Sequence, residues 1–138
     1  MATLYAINPL TGVTWSDKSS VYRPPGGGNV AVAMGNTFSP VAAADVIRFC
    51  KVPAGAVIIG GTIAGLGLSG LDIDFGWEAN GAEQADPDAF GHIGGSPLML
   101  MQTYPKLRYE TWLSGIVNAD ANADGLGQLS MIVQFVVS

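Results

Sequence analysis

The stretch that most constrains the fold covers residues 45–78, where three β-rich segments are separated by turn residues. At its first joint, Val52-Pro53-Ala54-Gly55, proline occupies the second turn position, where its fixed φ is suitable, and glycine the fourth. Residues 71–78 alternate at every step, which is typical of a strand with one face in the core. Their apolar set is Leu71, Ile73, Phe75 and Trp77, and their other set is Asp72, Asp74, Gly76 and Glu78. This stretch predicts a β-meander with a tight hairpin at the proline rather than helices.

Strand patterns continue through the second half of the chain. Residues 98–101 are wholly apolar, and residues 106–114 alternate so that Trp112 falls on the charged face and Tyr109 on the apolar one. Residues 129–137 are apolar on both faces and must be central or covered, because an exposed strand of that kind would aggregate. Seven or eight strands and no convincing helix predict an all-β fold, an antiparallel β-sandwich of jelly-roll type.

The first part of the chain has a different character. Residues 1–28 carry three prolines and the run Pro24-Pro25-Gly26-Gly27-Gly28, and no alternation persists through them, so they predict an extended N-terminal arm. The arm either packs on its own domain or reaches a neighbouring subunit, because its aromatic residues are too many for a free tail. The β-sandwich domain is expected to cover residues 29–138, beginning with a short strand over residues 29–34 that ends in a turn at Gly35-Asn36.

Composition excludes several classes of protein. The net charge of -5 and a pI near 4.4 argue against a nucleic-acid partner, which would require a basic surface. Neither a secretory signal nor an apolar run of about 20 residues is present, so we expect a soluble protein made in a cytoplasm, without a membrane partner. Only 12% of the residues are charged and 49% are hydrophobic, which predicts that much of the surface is covered in an oligomer, with a trimer expected.

No catalytic constellation stands out, and no catalytic, cofactor or metal site is expected. His92 is the only histidine and lies in Phe-Gly-His-Ile-Gly-Gly, where a role in a loop is favoured over that of a base. Cys50 is the only cysteine, so it forms no internal disulfide and is interpreted as a small buried hydrophobe. Residues 79–97 are polar and glycine-rich, which predicts a long loop and a candidate contact surface.

Two acidic features allow alternative interpretations. Asp120, Asn122 and Asp124 match the first half of a calcium loop, but Met131 stands at the twelfth position and offers no oxygen, so a hairpin loop is favoured. The row Asp72, Asp74 and Glu78 could bind a cation or support glycosidase-like acid and base chemistry. A solvated strand face, with its repulsion offset by Lys106 and Arg108 on a neighbouring strand, is the favoured interpretation of that row.

The remaining candidates are glycines and tryptophans. The glycines of residues 65–70 resemble a phosphate loop only loosely, because no lysine follows them. The tryptophans could form a sugar platform, although Trp77 is better explained as core. Trp112 is expected at a contact between protein molecules, so that its replacement by alanine would reduce assembly and leave stability near native.

The segments 45–58, 71–76 and 123–137 together resemble small virion structural proteins of tailed bacteriophages, of the head decoration or cement type. The resemblance covers most of residues 29–138 and not the arm. It implies a non-enzymatic protein that sits on or between subunits of the major capsid protein at the capsid surface, commonly as a homotrimer. Related virion proteins serve in necks, tails and head fibres. The alternative is therefore a carbohydrate- or receptor-binding module of a phage fibre or tail, with Trp15 or Trp112 as its stacking platform.

Overall fold

The computed structural model describes residues 3–19, 21, 30–37, 43–69, 72–79, 84, 86–94, 98–100, 107–119 and 122–137, and these contain strands and no helix. The strands are, in chain order, β1 (Thr3–Tyr5), β2 (Ile7–Asn8), β3 (Val13–Thr14), β4 (Ala31–Thr37), β5 (Val46–Val52), β6 (Ala56–Ser69), β7 (Asp72–Trp77), β8 (Asp86–Gly94), β9 (Leu98–Leu100), β10 (Thr111–Val117) and β11 (Asn122–Val137). They form a five-stranded sheet, sheet A, in the order β1-β5-β10-β7-β8, and a six-stranded sheet, sheet B, in the order β3-β2-β4-β11-β6-β9.

The pairing of the eight main strands defines a jelly roll. The chain folds back on itself as one long hairpin, in which β4 pairs with β11, β5 with β10, β6 with β9 and β7 with β8, all antiparallel. This hairpin is rolled up, so that β11 also pairs with β6 and β10 with β7. The prediction of an all-β, antiparallel sandwich of jelly-roll type is confirmed.

The expected β-meander over residues 45–78 is wrong, because its successive strands lie in different sheets. The turn at Pro53 is present, since the N–H of Ala56 donates to the carbonyl of Pro53 at 3.2 Å and Gly55 has a positive φ of 84°. However, β5 and β6 lie in different sheets, so the turn carries the chain across the sandwich and does not close a hairpin. The residues of this turn fit a hairpin and a crossing between sheets equally well. The sheet that β6 joins is decided by its pairing with β9 and β11, which come later in the chain.

Residues 3–19 pack on their own domain, which is the first of the two alternatives for the arm. Strand β1 extends sheet A by pairing parallel with β5, while β2 and β3 form a hairpin at the β4 edge of sheet B. Ala6 and Trp15 are buried, and the indole N–H of Trp15 donates to the carbonyl of Met34 at 2.9 Å. Tyr22, another aromatic residue of the predicted arm, lies outside the described residues. The division into an arm over residues 1–28 and a domain over residues 29–138 stays a prediction.

The core lies between the two sheets and contains the residues that alternation assigns to it. In β7, Ile73, Phe75 and Trp77 are buried, and in β11 the buried set is Leu129, Met131, Val133 and Phe135. Strand β11 lies between β4 and β6, which confirms that this apolar strand is central. Covering both of its edges removes the aggregation hazard of an exposed apolar strand.

Three expected boundaries are wrong. Strand β4 does not end at Gly35 but continues to Thr37. The expected loop contains β8, whose Phe90 and Ile93 face the core; these two apolar positions were too sparse among glycines and carboxylates to signal a strand. Strand β10 begins at Thr111 and not at residue 106, because the N–H of Leu107 donates to the carbonyl of Ala56 and the chain then bends. Tyr109, expected inward, is therefore 54% exposed.

Cys50 lies in this core, as expected, and its surroundings predict its reactivity. Burial raises the pKa of the Cys50 thiol, so at pH 8 the side chain is a neutral thiol and not the nucleophilic thiolate. We expect native protein to react with a colorimetric disulfide reagent only through unfolding, and to react at once in denaturant. Because Cys50 is the only cysteine, the absorbance reports this site alone. Rapid, complete labelling of the native protein would contradict the burial.

Candidate functional site

Charge is divided unequally between the two sheets of the sandwich. The strands of sheet A and the segments that adjoin them carry Arg48, Lys51, Asp72, Asp74, Glu78, Asp86, Asp88 and Glu110. In contrast, the six strands of sheet B contain a single charged residue, Asp124, near the start of β11. The molecule therefore has one charged outer face and one outer face that is almost free of charge.

The central part of the outer face of sheet B is formed by Val32 of β4, Ile132 and Gln134 of β11, and Ile59 and Thr62 of β6; we call these residues the uncharged face. The register brings them together, since Gln134 lies opposite Val32 and Ile132 lies opposite Thr62. Val32, Ile59 and Ile132 are each between 36% and 40% exposed. The surface mixes branched apolar groups with amide and hydroxyl groups, as the buried parts of protein interfaces do.

A cavity of about 460 Å³ lies next to this face, between the β2–β3 hairpin and β4. Its lining includes Leu10, Trp15 and Val32, so it is joined to the uncharged face through Val32. Leu10 is 66% exposed, and its side chain lies at the mouth of this cavity. The lining is mostly apolar, with Asn8, Thr11 and Lys51 as its polar members, and the cavity is large enough to receive an aliphatic or aromatic side chain from another molecule.

Trp112 lies on the charged face of sheet A, as alternation predicted, but it is covered by the arm of its own chain. Its ring meets those of Tyr5 and Trp15 edge to face, with centroids 5.5 and 6.2 Å away, and Trp112 is only 9% exposed. The cationic groups of Arg48 and Lys51 lie 5.4 and 5.1 Å from its centroid. The expectation that Trp112 makes an intermolecular contact is therefore wrong, because residues 3–19 already occupy that surface.

Arg48 connects this aromatic cluster to the end of β7. Its guanidinium donates two hydrogen bonds to the Glu78 carboxylate, at 2.9 and 2.8 Å, and one to the Tyr5 hydroxyl at 2.7 Å. The hydrogen bond to Glu78 raises the pKa of Arg48 and so stabilises its charged form. Asp17 of the arm is a further partner, at 3.3 Å. Glu78 is thus bound in a structural pair that holds the arm, and it is not free for acid or base chemistry.

The other two members of the acidic row are bridged by the single histidine. His92 is in β8 and not in a loop, and the register places it opposite Asp74. Its Nδ1 lies 2.6 Å from Asp74 and its Nε2 lies 3.1 Å from Asp72, while the Asn118 amide donates to both carboxylates. His92 and Asn118 are thus the polar partners that contact these two carboxylates, whereas Arg108 lies in a bend and Lys106 is outside the described residues. Sequence reasoning missed the bridge, because it depends on the pairing of β7 with β8.

The two remaining candidates, the calcium-loop and phosphate-loop segments, stay predictions. Asp120, and the side chains of Asn122, Asp124 and residues 66–70, lie outside what the structure describes, so the calcium-loop and phosphate-loop interpretations rest on sequence. Elsewhere in the described part of the chain, no three His, Cys, Asp or Glu side chains are grouped closely enough to hold a metal ion. No helix that could cross a membrane occurs in that part either.

The described part of the chain is thus a jelly roll with one charged outer face and one outer face that is almost free of charge. Its fold is similar to the folds of solved chains from three phage capsids. The chain is similar to one in the capsid of Ralstonia phage GP4, with 15% identity, a TM-score of 0.68, and 88% of this chain and 93% of that chain covered. It is also similar to a chain of the cyanophage Pam1 capsid asymmetric unit, with 19% identity, a TM-score of 0.60, and 91% and 98% covered.

A third similar chain belongs to the acid-stable capsid of Helicobacter pylori bacteriophage KHP30, with 13% identity, a TM-score of 0.61, and 80% and 90% covered. No protein-family model matches the sequence, and neither does any curated protein. The three solved chains are covered over at least 90% of their length, so each is about the size of this one. At these identities the likeness shows that the chain has the fold of chains found in phage capsids.

Proposed function

We propose that this protein is a non-enzymatic structural protein of a bacteriophage virion, a decoration or cement protein that binds the shell of the major capsid protein and stabilises it. The observation that carries the proposal is the fold likeness along almost the whole chain to three phage-capsid chains of similar length. The likeness extends over 80% or more of this chain and 90% or more of each solved chain, so it is not confined to one part of the fold.

The distribution of charge supports the same function. A protein that covers a shell needs one surface that can be buried and another that stays in water. The uncharged face meets the first need, because interface cores are depleted of charged residues. The charged outer face of sheet A meets the second, since it carries partly exposed carboxylates such as Asp72 and Asp74. We accordingly place the protein at the capsid surface after synthesis in the host cytoplasm, as a homo-oligomer, with a trimer implied by the resemblance.

The alternative, a carbohydrate- or receptor-binding module of a fibre or tail, is less well supported. A sugar platform requires an exposed aromatic ring. Trp15, Trp77 and Trp112 are the only tryptophans of the chain, and all three are buried. Trp15 of the arm and Trp112 of β10, the two candidates for the platform, pack against each other. The burial of Trp15 and Trp112 therefore removes the two platforms that were considered for this alternative.

The proposal is tested by cosedimentation of the purified protein with capsids assembled from the major capsid protein of its phage, in parallel with a glycan-array screen. We expect the protein to pellet with capsids and to give no glycan signal. Because the proposed contact is uncharged, binding should persist when salt shortens the Debye length from about 10 Å to about 3 Å. Protein that stays in the supernatant at every salt concentration, or a specific glycan signal, would contradict the proposal.

A further inference from the structure

We propose that His92, Asp72 and Asp74 form a pH-sensitive bridge, which holds the edge strand β8 against β7 in mild acid and weakens as the pH rises. Strand β8 lies at the end of sheet A, where it pairs with β7. The continuous part of this pairing is short, because it covers residues 91–94 of β8 before the register shifts. His92 lies in that part, so its side-chain contacts add to a short ladder. The bridge is a property of the single chain, whatever the chain binds.

The contacts of the imidazole ring require a proton on both of its nitrogens. Nδ1 lies 2.6 Å from a carboxylate oxygen of Asp74, and Nε2 lies 3.1 Å from a carboxylate oxygen of Asp72. A neutral imidazole donates from one nitrogen only, so the lone pair of the other nitrogen would face a negatively charged oxygen. The imidazolium ion, in contrast, donates to both carboxylates. The bridge is therefore complete only when His92 is protonated.

In the described part of the chain, the groups around the ring offer no substitute for this proton. Asp72 and Asp74 face it from β7, and the amide of Asn118, beyond β10, donates to both carboxylates. The other titratable side chains of β8 are Asp86 and Asp88, which are also acidic. Strands β9 and β10, which also pack against β8, contain no charged residue, and β7 and β8 contain no lysine or arginine. Loss of the proton leaves two like charges beside an uncharged amide.

Protonation of His92 stabilises the folded state more than the unfolded chain, because the unfolded chain does not hold a carboxylate beside each nitrogen. The contribution of the bridge to stability is therefore present in mild acid. It is lost as the pH rises past about 6.5, where histidine side chains ordinarily lose their proton. The side chain of His92 is 48% exposed, so water screens its contacts. We accordingly expect an effect of roughly two- to fivefold on the unfolding equilibrium constant.

The test compares the wild type with His92→Gln by urea unfolding at about pH 5.5 and about pH 8, on either side of the ordinary titration of histidine. Glutamine keeps a polar side chain that cannot become charged. We expect the unfolding equilibrium constant of His92→Gln to exceed that of the wild type by roughly two- to fivefold at the lower pH, and to approach it at the higher pH. Adding Asp74→Asn to both proteins completes a double-mutant cycle, whose coupling should be present at the lower pH only.

Asp88→Asn is the matched control, because it removes the same charge from an exposed position of the same strand, four residues before His92. It should leave the difference between the two pH values unchanged. If His92→Gln does not fold, Asp74→Asn alone gives the comparison with the wild type, and its loss of stability should be larger at the lower pH. An equal effect at both pH values, or a larger effect at the higher pH, would overturn the proposal. Capsid binding is measured separately, so either result leaves the test of the proposed function unaffected.

Discussion

Replacement of Gly35 by alanine is expected to destabilise the protein by at least about 3 kcal/mol, a large part of the stability of a domain of this size. Gly35 lies in β4 of sheet B, where the strand passes the backbone of Phe49 in β5 of sheet A. A Cβ atom built on Gly35 would overlap the carbonyl oxygen of Phe49 and lie 2.6 Å from its carbonyl carbon. Backbone atoms cannot rotate away as a side chain can, so one sheet must shift relative to the other.

A matched control is available in the same sheet. A Cβ atom at Gly60 would meet only the side-chain oxygen of Gln134, at 3.7 Å, which is ordinary contact. We expect Gly60→Ala to leave stability unchanged or slightly raised, because it reduces the conformational freedom of the unfolded chain. Urea unfolding of both variants measures the difference. Equal midpoints for Gly35→Ala and the wild type would show that the sheets are further apart at this point than the structure has them.

Trp112→Ala is expected to cost about 3 kcal/mol, because it removes the ring on which the arm is packed. The ring contacts Tyr5 and Trp15 of the arm and stands beside the cationic groups of Arg48 and Lys51. Without it, Lys51 is left beside a cavity, although its ammonium group still binds the carbonyl of Asp17. We therefore also expect trypsin to cleave after the exposed Lys18 faster than in the wild type.

Tyr109→Ala is the control for this variant, because Tyr109 is an aromatic residue of the same segment that is more than half exposed. It should change the free energy of unfolding by well under 1 kcal/mol. If Trp112→Ala kept near-native stability but lost assembly, this tryptophan would contact another molecule, as strand alternation had led us to expect. A Trp112→Phe variant should recover part of the stability, since a smaller ring keeps the contact with Tyr5.

Some features followed from sequence because their causes are local. Alternation in β7 identifies Ile73 and Phe75 as core residues, since successive side chains of a strand point to opposite sides whatever the strand pairs with. The apolar run of β11 required a central position for a local reason too, because a strand that is apolar on both faces would aggregate if it lay at the edge of a sheet. The turn at Pro53 followed from the fixed φ of proline and the positive φ of Gly55. Low charge without a catalytic constellation also pointed to a binding surface.

Other features depended on contacts between residues far apart in the chain, and only the tertiary structure decided them. Gly35 reads as a turn in sequence, and its close approach to Phe49 exists only when the two sheets are stacked. His92 bridges Asp72 and Asp74 because β8 pairs with β7 in one particular register. Trp112 was placed on the correct face by alternation, but alternation does not reveal which segment covers a face. The uncharged face arises in the same way, because rolling the chain collects β4, β6 and β11 in one sheet and leaves nearly all charge on the strands and adjoining segments of the other.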